Sequence, residues 1–181
     1  MFSFIDGRKI MEPILFGVLM VVMVLTVQGY FAQRSMPKDQ APAVSGRLID
    51  GDYIDLLSIS HDQPVLLYFW ANWCMECRAI NSAVQKVAND YKVVSVTMSS
   101  GNKEWLRQYM KARELNFPVL NDTTGVISRE WGVTTVPSFV VVMDGRVRFI
   151  TTGYTTSAGL RARLWIVGSL LPFVERVKAW F

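Results

Sequence analysis

The stretch Val65-Leu66-Leu67-Tyr68-Phe69-Trp70-Ala71-Asn72-Trp73-Cys74-Met75-Glu76-Cys77 decides how this 181-residue chain folds. Its first six residues follow Pro64 and are continuously apolar or aromatic, which suits a central strand covered on both faces. Beyond the cysteines, Ile80, Val84, Val87, Ala88 and Tyr91 recur at helical spacing, so a helix begins where the strand stops, with Cys74 at its start. A thiol there meets unpaired backbone N–H groups and the positive end of the helix dipole. Both favour the thiolate, which is the species that attacks disulfides. Cys77 lies three positions on, on the same helical face, and can attack a mixed disulfide formed at Cys74. The spacing therefore predicts Cys74 as the nucleophile and Cys77 as the more buried resolving thiol.

These are the chain's 2 cysteines, and that count narrows their use. A disulfide-stapled miniature scaffold spreads four or more along a short chain. A zinc site wants about four ligands, and the single histidine, His61, precedes the pair and completes no familiar Cys/His spacing. Two close thiols that can join each other read as redox-active, with no metal and no cofactor beyond a reversible Cys74–Cys77 disulfide. The net charge of +4 comes from scattered Lys and Arg rather than a cluster, so a nucleic-acid footprint is set aside.

Outward from that core, residues 46–56 alternate around Asp50-Gly51, a hairpin signal. Residues 93–98 read as a second buried strand, and Trp105, Leu106, Tyr109 and Met110 mark a helix over 102–114. Residues 117–120 are a short extended piece and 124–131 a short helix. Two strands, 138–143 and 146–150, flank Asp144-Gly145, a strong hairpin signal. Ser157 is placed to cap a last helix running towards Pro172. An alternating start that ends in a hairpin and a helix is an α/β sandwich with a mixed sheet.

From Pro13 to Gln33 no residue is charged, a run of about 21 positions that would span roughly 30 Å as a helix. Tyr30 and Phe31 sit near its far end, where aromatic rings favour the membrane interface. Arg8 and Lys9 precede it, which suits a cytoplasmic N-terminus. The alternative is a cleaved signal peptide, but Tyr30-Phe31-Ala32 has a bulky residue where a small one is needed. A buried core helix is disfavoured because the run has no polar face. The domain reading is a short cytoplasmic N-terminus (1–12), a transmembrane anchor (13–33), a polar spacer (34–45), a globular domain (46–171) and an amphipathic tail (172–181).

About 60 residues after the cysteines, Thr134-Thr135-Val136-Pro137-Ser138 leads into a strand. A cis Val136–Pro137 bond, accessible to proline at about 0.5–1 kcal/mol, would present Val136's backbone to an extended partner segment. Trp73 would shield Cys74 and offer substrates an apolar platform. Trp70 and Phe69 read as core, as do Met98, Met110 and Met143, and His61 as a solvated loop residue.

The segment from Tyr68 to Cys77 resembles the thioredoxin active site, and the Leu48-Ile49-Asp50-Gly51 hairpin resembles the TlpA-like branch of anchored bacterial thioredoxins. Within that branch the chain looks most similar to the copper-sensitivity suppressor D proteins. The resemblance spans roughly residues 45–171 and also carries Gly153 before the last helix. It implies a thioredoxin-like fold and a periplasmic protein-disulfide oxidoreductase on the inner membrane. Its partners would be protein disulfide substrates and an inner-membrane electron donor of the DsbD/ScsB type.

Three departures tune that reading. Thioredoxin has a buried Asp where this chain has Tyr68. Met75 and Glu76 replace the usual Gly-Pro. Glu76 should oppose thiolate formation while Arg78 should favour it. The family analogy favours a reductase; a dithiol oxidase, a copper carrier using both thiols and a non-enzymatic adaptor are the alternatives.

Overall fold

The computed structural model describes residues 7–171. The expected tail at 172–181 and the first six residues of the expected cytoplasmic N-terminus lie outside the described residues.

The continuous apolar stretch before the cysteines is strand β3 (Val65–Trp70), and every residue of it is buried. It is the middle of a five-stranded mixed sheet with the order β5-β4-β3-β6-β7. Strand β4 (Lys92–Met98) runs parallel to it and β5 (Val119–Asp122) parallel to β4; β6 (Ser138–Met143) and β7 (Arg146–Thr152) are antiparallel additions. Alternate β3 side chains serve different cores. Leu66, Tyr68 and Trp70 face helix α3 (Met75–Ala88), α4 (Lys103–Ala112) and α6 (Ser157–Trp165), meeting Ile80, Val84, Leu106 and Leu160. Val65, Leu67 and Phe69 join Val94, Val96, Val140 and Trp131 on the opposite face. A strand buried on both faces loses the polar alternation of a half-exposed one, which is why its sequence reads as a continuous apolar run.

A small hairpin pairs β1 (Ser45–Arg47) with β2 (Tyr53–Asp55), where Asp50-Gly51 predicts one. A short helix that the sequence reading omits, α2 (Leu56–Ile59), follows directly; the Asp55 carboxylate caps it by accepting from the N–H groups of Leu57 and Ser58. The β6–β7 turn uses Asp144 and Gly145 at φ of 52° and 64°, the left-handed pair that a two-residue hairpin requires. The short helix expected over 124–131 is α5 (Val126–Glu130). The last helix is capped by the Thr156 hydroxyl, which accepts from Gly159 N–H, and Ser157 is its first helical residue instead of its cap. That helix continues through one π-helical turn, Ile166–Leu170.

Helix α1 (Gly7–Gln33) begins ahead of the uncharged run; its 21 residues from Pro13 to Gln33 are long and apolar enough to cross a membrane. The segment after it departs from expectation. Residues 34–45 were expected to hold the domain away as a spacer, yet Met36, Ala41 and Val44 are buried in the core face that contains Trp131. Val147 N–H donates to Asp39 O at 2.7 Å, Ala41 N–H to Gly145 O at 2.9 Å, and Leu56 N–H to Val44 O at 2.9 Å. This sheet face is covered by the short helices α2 and α5, and the strap packs beside them. Its few apolar residues follow no helical or strand period, so composition alone reads it as linker.

Candidate active site

Strand β3 ends at Trp70, and the turn that follows carries the cysteines out at the carboxyl end of the sheet. Asn72 fixes this turn: its N–H donates to the Ser100 hydroxyl at 3.1 Å and its side-chain amide donates to Ser100 O at 3.1 Å. Cys74 is the N-cap of α3, with extended backbone, and its Sγ accepts from Cys77 N–H at 3.1 Å. The expected position at the helix start is thus realised with a hydrogen bond that an anionic sulfur would strengthen. Cys74 and Cys77 are joined as a disulfide, their Cα atoms 5.3 Å apart. Cys77 is fully buried and Cys74 is 7% exposed, which orders the pair as the sequence predicts.

Sixty-two positions on, the Val136–Pro137 peptide bond is cis, and Val136 O lies 3.6 Å from Cys74 Sγ. Gly153 N–H donates to Pro137 O at 2.8 Å and ties the end of β7 to this loop. A cleft of about 290 Å³ opens between the two loops, lined by Trp73, Met98, Thr134, Thr135 and Val136. Trp73 is 62% exposed at the mouth of this cleft, while Trp70 and Phe69 are wholly buried. Met75 is also exposed, and Glu76 and Arg78 are exposed on the first turn of α3, where solvent screens their opposite charges.

Several residues of the site escaped the sequence reading. Met98, expected as core, is half-buried and borders the cleft. Tyr154, exposed and next to Gly153, flanks the cis-proline loop. Asn81 is buried one turn beyond Cys77 and accepts a 2.9 Å hydrogen bond from the Tyr68 hydroxyl; its amide donates to the Tyr109 hydroxyl at 3.4 Å. A polar residue on the apolar stripe of a helix is the signal that could have found it. Burial first, and the nearby Tyr109 phenol second, push Tyr68 far above the ordinary tyrosine range. The position that holds a carboxylate in thioredoxin is therefore occupied by a neutral donor, already satisfied.

His61 stands at the other end of the sheet. It lies 4.0 Å from Asp144, beyond the end of β6 that pairs with the start of β3, roughly 20 Å from the cysteines at ~3.3 Å per strand residue. Among the described residues, no group of three His, Cys, Asp or Glu side chains is arranged to hold a metal.

Residues 37–150 match the family model described as the AhpC/TSA family. A thioredoxin-like protein of Haemophilus influenzae is 31% identical over 136 residues, 75% of this chain and 81% of that one. Sporulation thiol-disulfide oxidoreductase A of Bacillus subtilis is 25% identical over 152 residues, 77% of this chain and 91% of the relative. Among solved structures, a secreted thiol-disulfide isomerase from Corynebacterium glutamicum superposes with a TM-score of 0.62 at 19% identity, covering 69% of this chain and 83% of its own.

Proposed function

The chain belongs to the AhpC/TSA family and is a thiol–disulfide oxidoreductase with a Cys-x-x-Cys active site, and from that premise we propose that it reduces protein disulfides on the extracytoplasmic side of a membrane. The observation that carries the reading is the position of Cys74 Sγ, on the N-terminus of α3 and 3.6 Å from the carbonyl of Val136 in the cis-proline loop. In the reduced protein, the Cys77 N–H and the helix dipole favour the Cys74 thiolate. An extended substrate segment pairs with the Val136 backbone and lays a side chain against Trp73. The Cys74 thiolate attacks the substrate disulfide, one substrate thiol leaves, and Cys77 attacks Cys74 to release the second. Two electrons pass to the substrate and the Cys74–Cys77 disulfide remains.

The direction rests on the resemblance to the TlpA-like anchored thioredoxins; Glu76 and Arg78, both exposed on the first turn of α3, act on the thiolate with opposite sign and leave it undecided by charge. Within this reading Pro13–Gln33 is a retained anchor, residues 46–171 are the catalytic domain in the periplasm, and an inner-membrane donor of the DsbD/ScsB type re-reduces the disulfide. The secreted Corynebacterium relative fits that compartment. The resemblance to copper-sensitivity suppressor D proteins makes these the subgroup proposed.

Equilibration with glutathione tests the direction. A potential of about −200 mV or lower is expected, and one near −120 mV, the range of strong oxidants, would overturn it. Trapping with Cys77→Ala should leave mixed disulfides on Cys74, and their absence would remove the assigned roles.

A further inference from the structure

The strap between α1 and the domain bears directly on where the active site can work. Three contacts hold it. The Ser35 hydroxyl donates to Gly132 O at 2.6 Å, Met36 is buried with Trp131 and Val133 in one core face, and the Gly132 backbone lies so close that a Cβ there would come within 2.0 Å of Ser35 O. Downstream, Gln40 bridges to Arg146 in the first residue of β7 and the Arg146 guanidinium pairs with Asp39 at 3.0 Å. The apolar helix is thus joined to the domain two residues after its last turn, and no free tether intervenes.

The point of attachment matters as much as its stiffness. Gly132 precedes Val136 by four positions, which can span at most ~14 Å of extended chain. Val136 O is 3.6 Å from Cys74 Sγ. The reactive sulfur is therefore held within roughly 25 Å of Ser35, two residues after the end of α1. A second feature lies at the same junction: a cleft of about 280 Å³ between the end of α1 and β7 is lined by Tyr30, Arg34, Lys38 and Arg148, the last of them ion-paired with Asp144 at 3.9 Å. Cations beside an interfacial tyrosine suit lipid phosphate groups.

We propose that residues 35–44 clamp the domain to its anchor, holding the Cys74–Cys77 pair at a short, fixed height over the bilayer, and that its partners are polypeptides whose cysteines are themselves held at that height by the membrane. The inference rests on the anchor reading above. A clamped dithiol has a high effective concentration for cysteines at the matching height and almost none for those it cannot reach, whereas a flexible tether would serve both.

The test uses the full-length reduced protein in phospholipid vesicles. The probe is a synthetic transmembrane peptide whose single cysteine forms a mixed disulfide with 2-nitro-5-thiobenzoate, carried on about 3 or about 18 prolines, so that it stands roughly 10 or 55 Å from the membrane. As the protein disulfide forms, the probe's S–S bond breaks; the two electrons and two protons of the dithiol appear on the peptide thiol and the coloured thiol. Release from the short probe should be at least about tenfold faster than from the long one, and a 12-residue Gly/Ser insertion between Gln33 and Arg34 should bring the two rates within about threefold. A soluble form of the probe should react alike with both proteins. Equal rates on both membrane probes with the native chain, or a preference that survives the insertion, overturns the clamp. Loss of the protein from the vesicles in alkaline carbonate overturns the anchor reading instead, and with it the placement.

Discussion

The turn at residues 72–77 and the strap at residues 35–44 are both irregular backbone leading to or from a helix and both lean on distant partners, but they place their side chains on opposite sides of the surface. The turn takes one hydrogen bond from within itself, Cys77 N–H to Cys74 Sγ, and two from Asn72 to the distant Ser100, and it leaves Trp73 and Met75 projecting into solvent. The strap borrows its hydrogen bonds from the domain, from Gly132, Gly145 and Val147, and turns Met36, Ala41 and Val44 inward. An irregular segment anchored by a few backbone contacts can still expose its side chains and use them for chemistry. One that turns them inward contributes to stability, and it also sets geometry between the parts it joins.

That contrast can be broken most sharply at the turn. Cys74→Ser should reduce insulin-disulfide turnover to background while leaving the thermal midpoint of the reduced protein within a degree or so, because the sulfur contributes reactivity and little packing. The reverse pattern belongs to the strap. Gly132→Ala places a methyl against Ser35 O at a φ of +59°, so a loss of about 3 kcal/mol is expected in urea unfolding, from backbone strain and the displaced strap together. Intact stability in that variant would show that the strap does not lie where it is described. Met36→Ser removes a buried thioether and should cost about 2 kcal/mol, with the rate of insulin reduction per folded molecule unchanged.

The smallest effect belongs to the polar chain beneath Cys77. Tyr68→Phe leaves Asn81 Oδ1 without its donor and should cost about 1 kcal/mol at neutral pH. Burial raises Tyr68 above its ordinary value, so the folded state holds that proton more tightly than the unfolded chain. The Tyr68 contribution is therefore complete below about pH 10 and is lost as pH rises further. The wild type should lose midpoint temperature above that pH more steeply than the Phe variant, and parallel curves would show that the phenol is not buried as described.

The sequence was sufficient where local chemistry governs. The doubly covered β3, the cysteine at a helix start, the Asp144-Gly145 turn and the proline before β6 are each set by a few adjacent residues, and each lies where those residues indicate. Tertiary structure decided what depends on distant partners. Asn81 has meaning only beside Tyr68 and Tyr109, Met98 faces a cleft only because the cis-proline loop stands opposite, and residues 34–45 cease to be a spacer only because Trp131 and its neighbours leave an apolar surface for Met36, Ala41 and Val44. Periodicity reports a segment's own exposure pattern and carries no record of which distant surface awaits it.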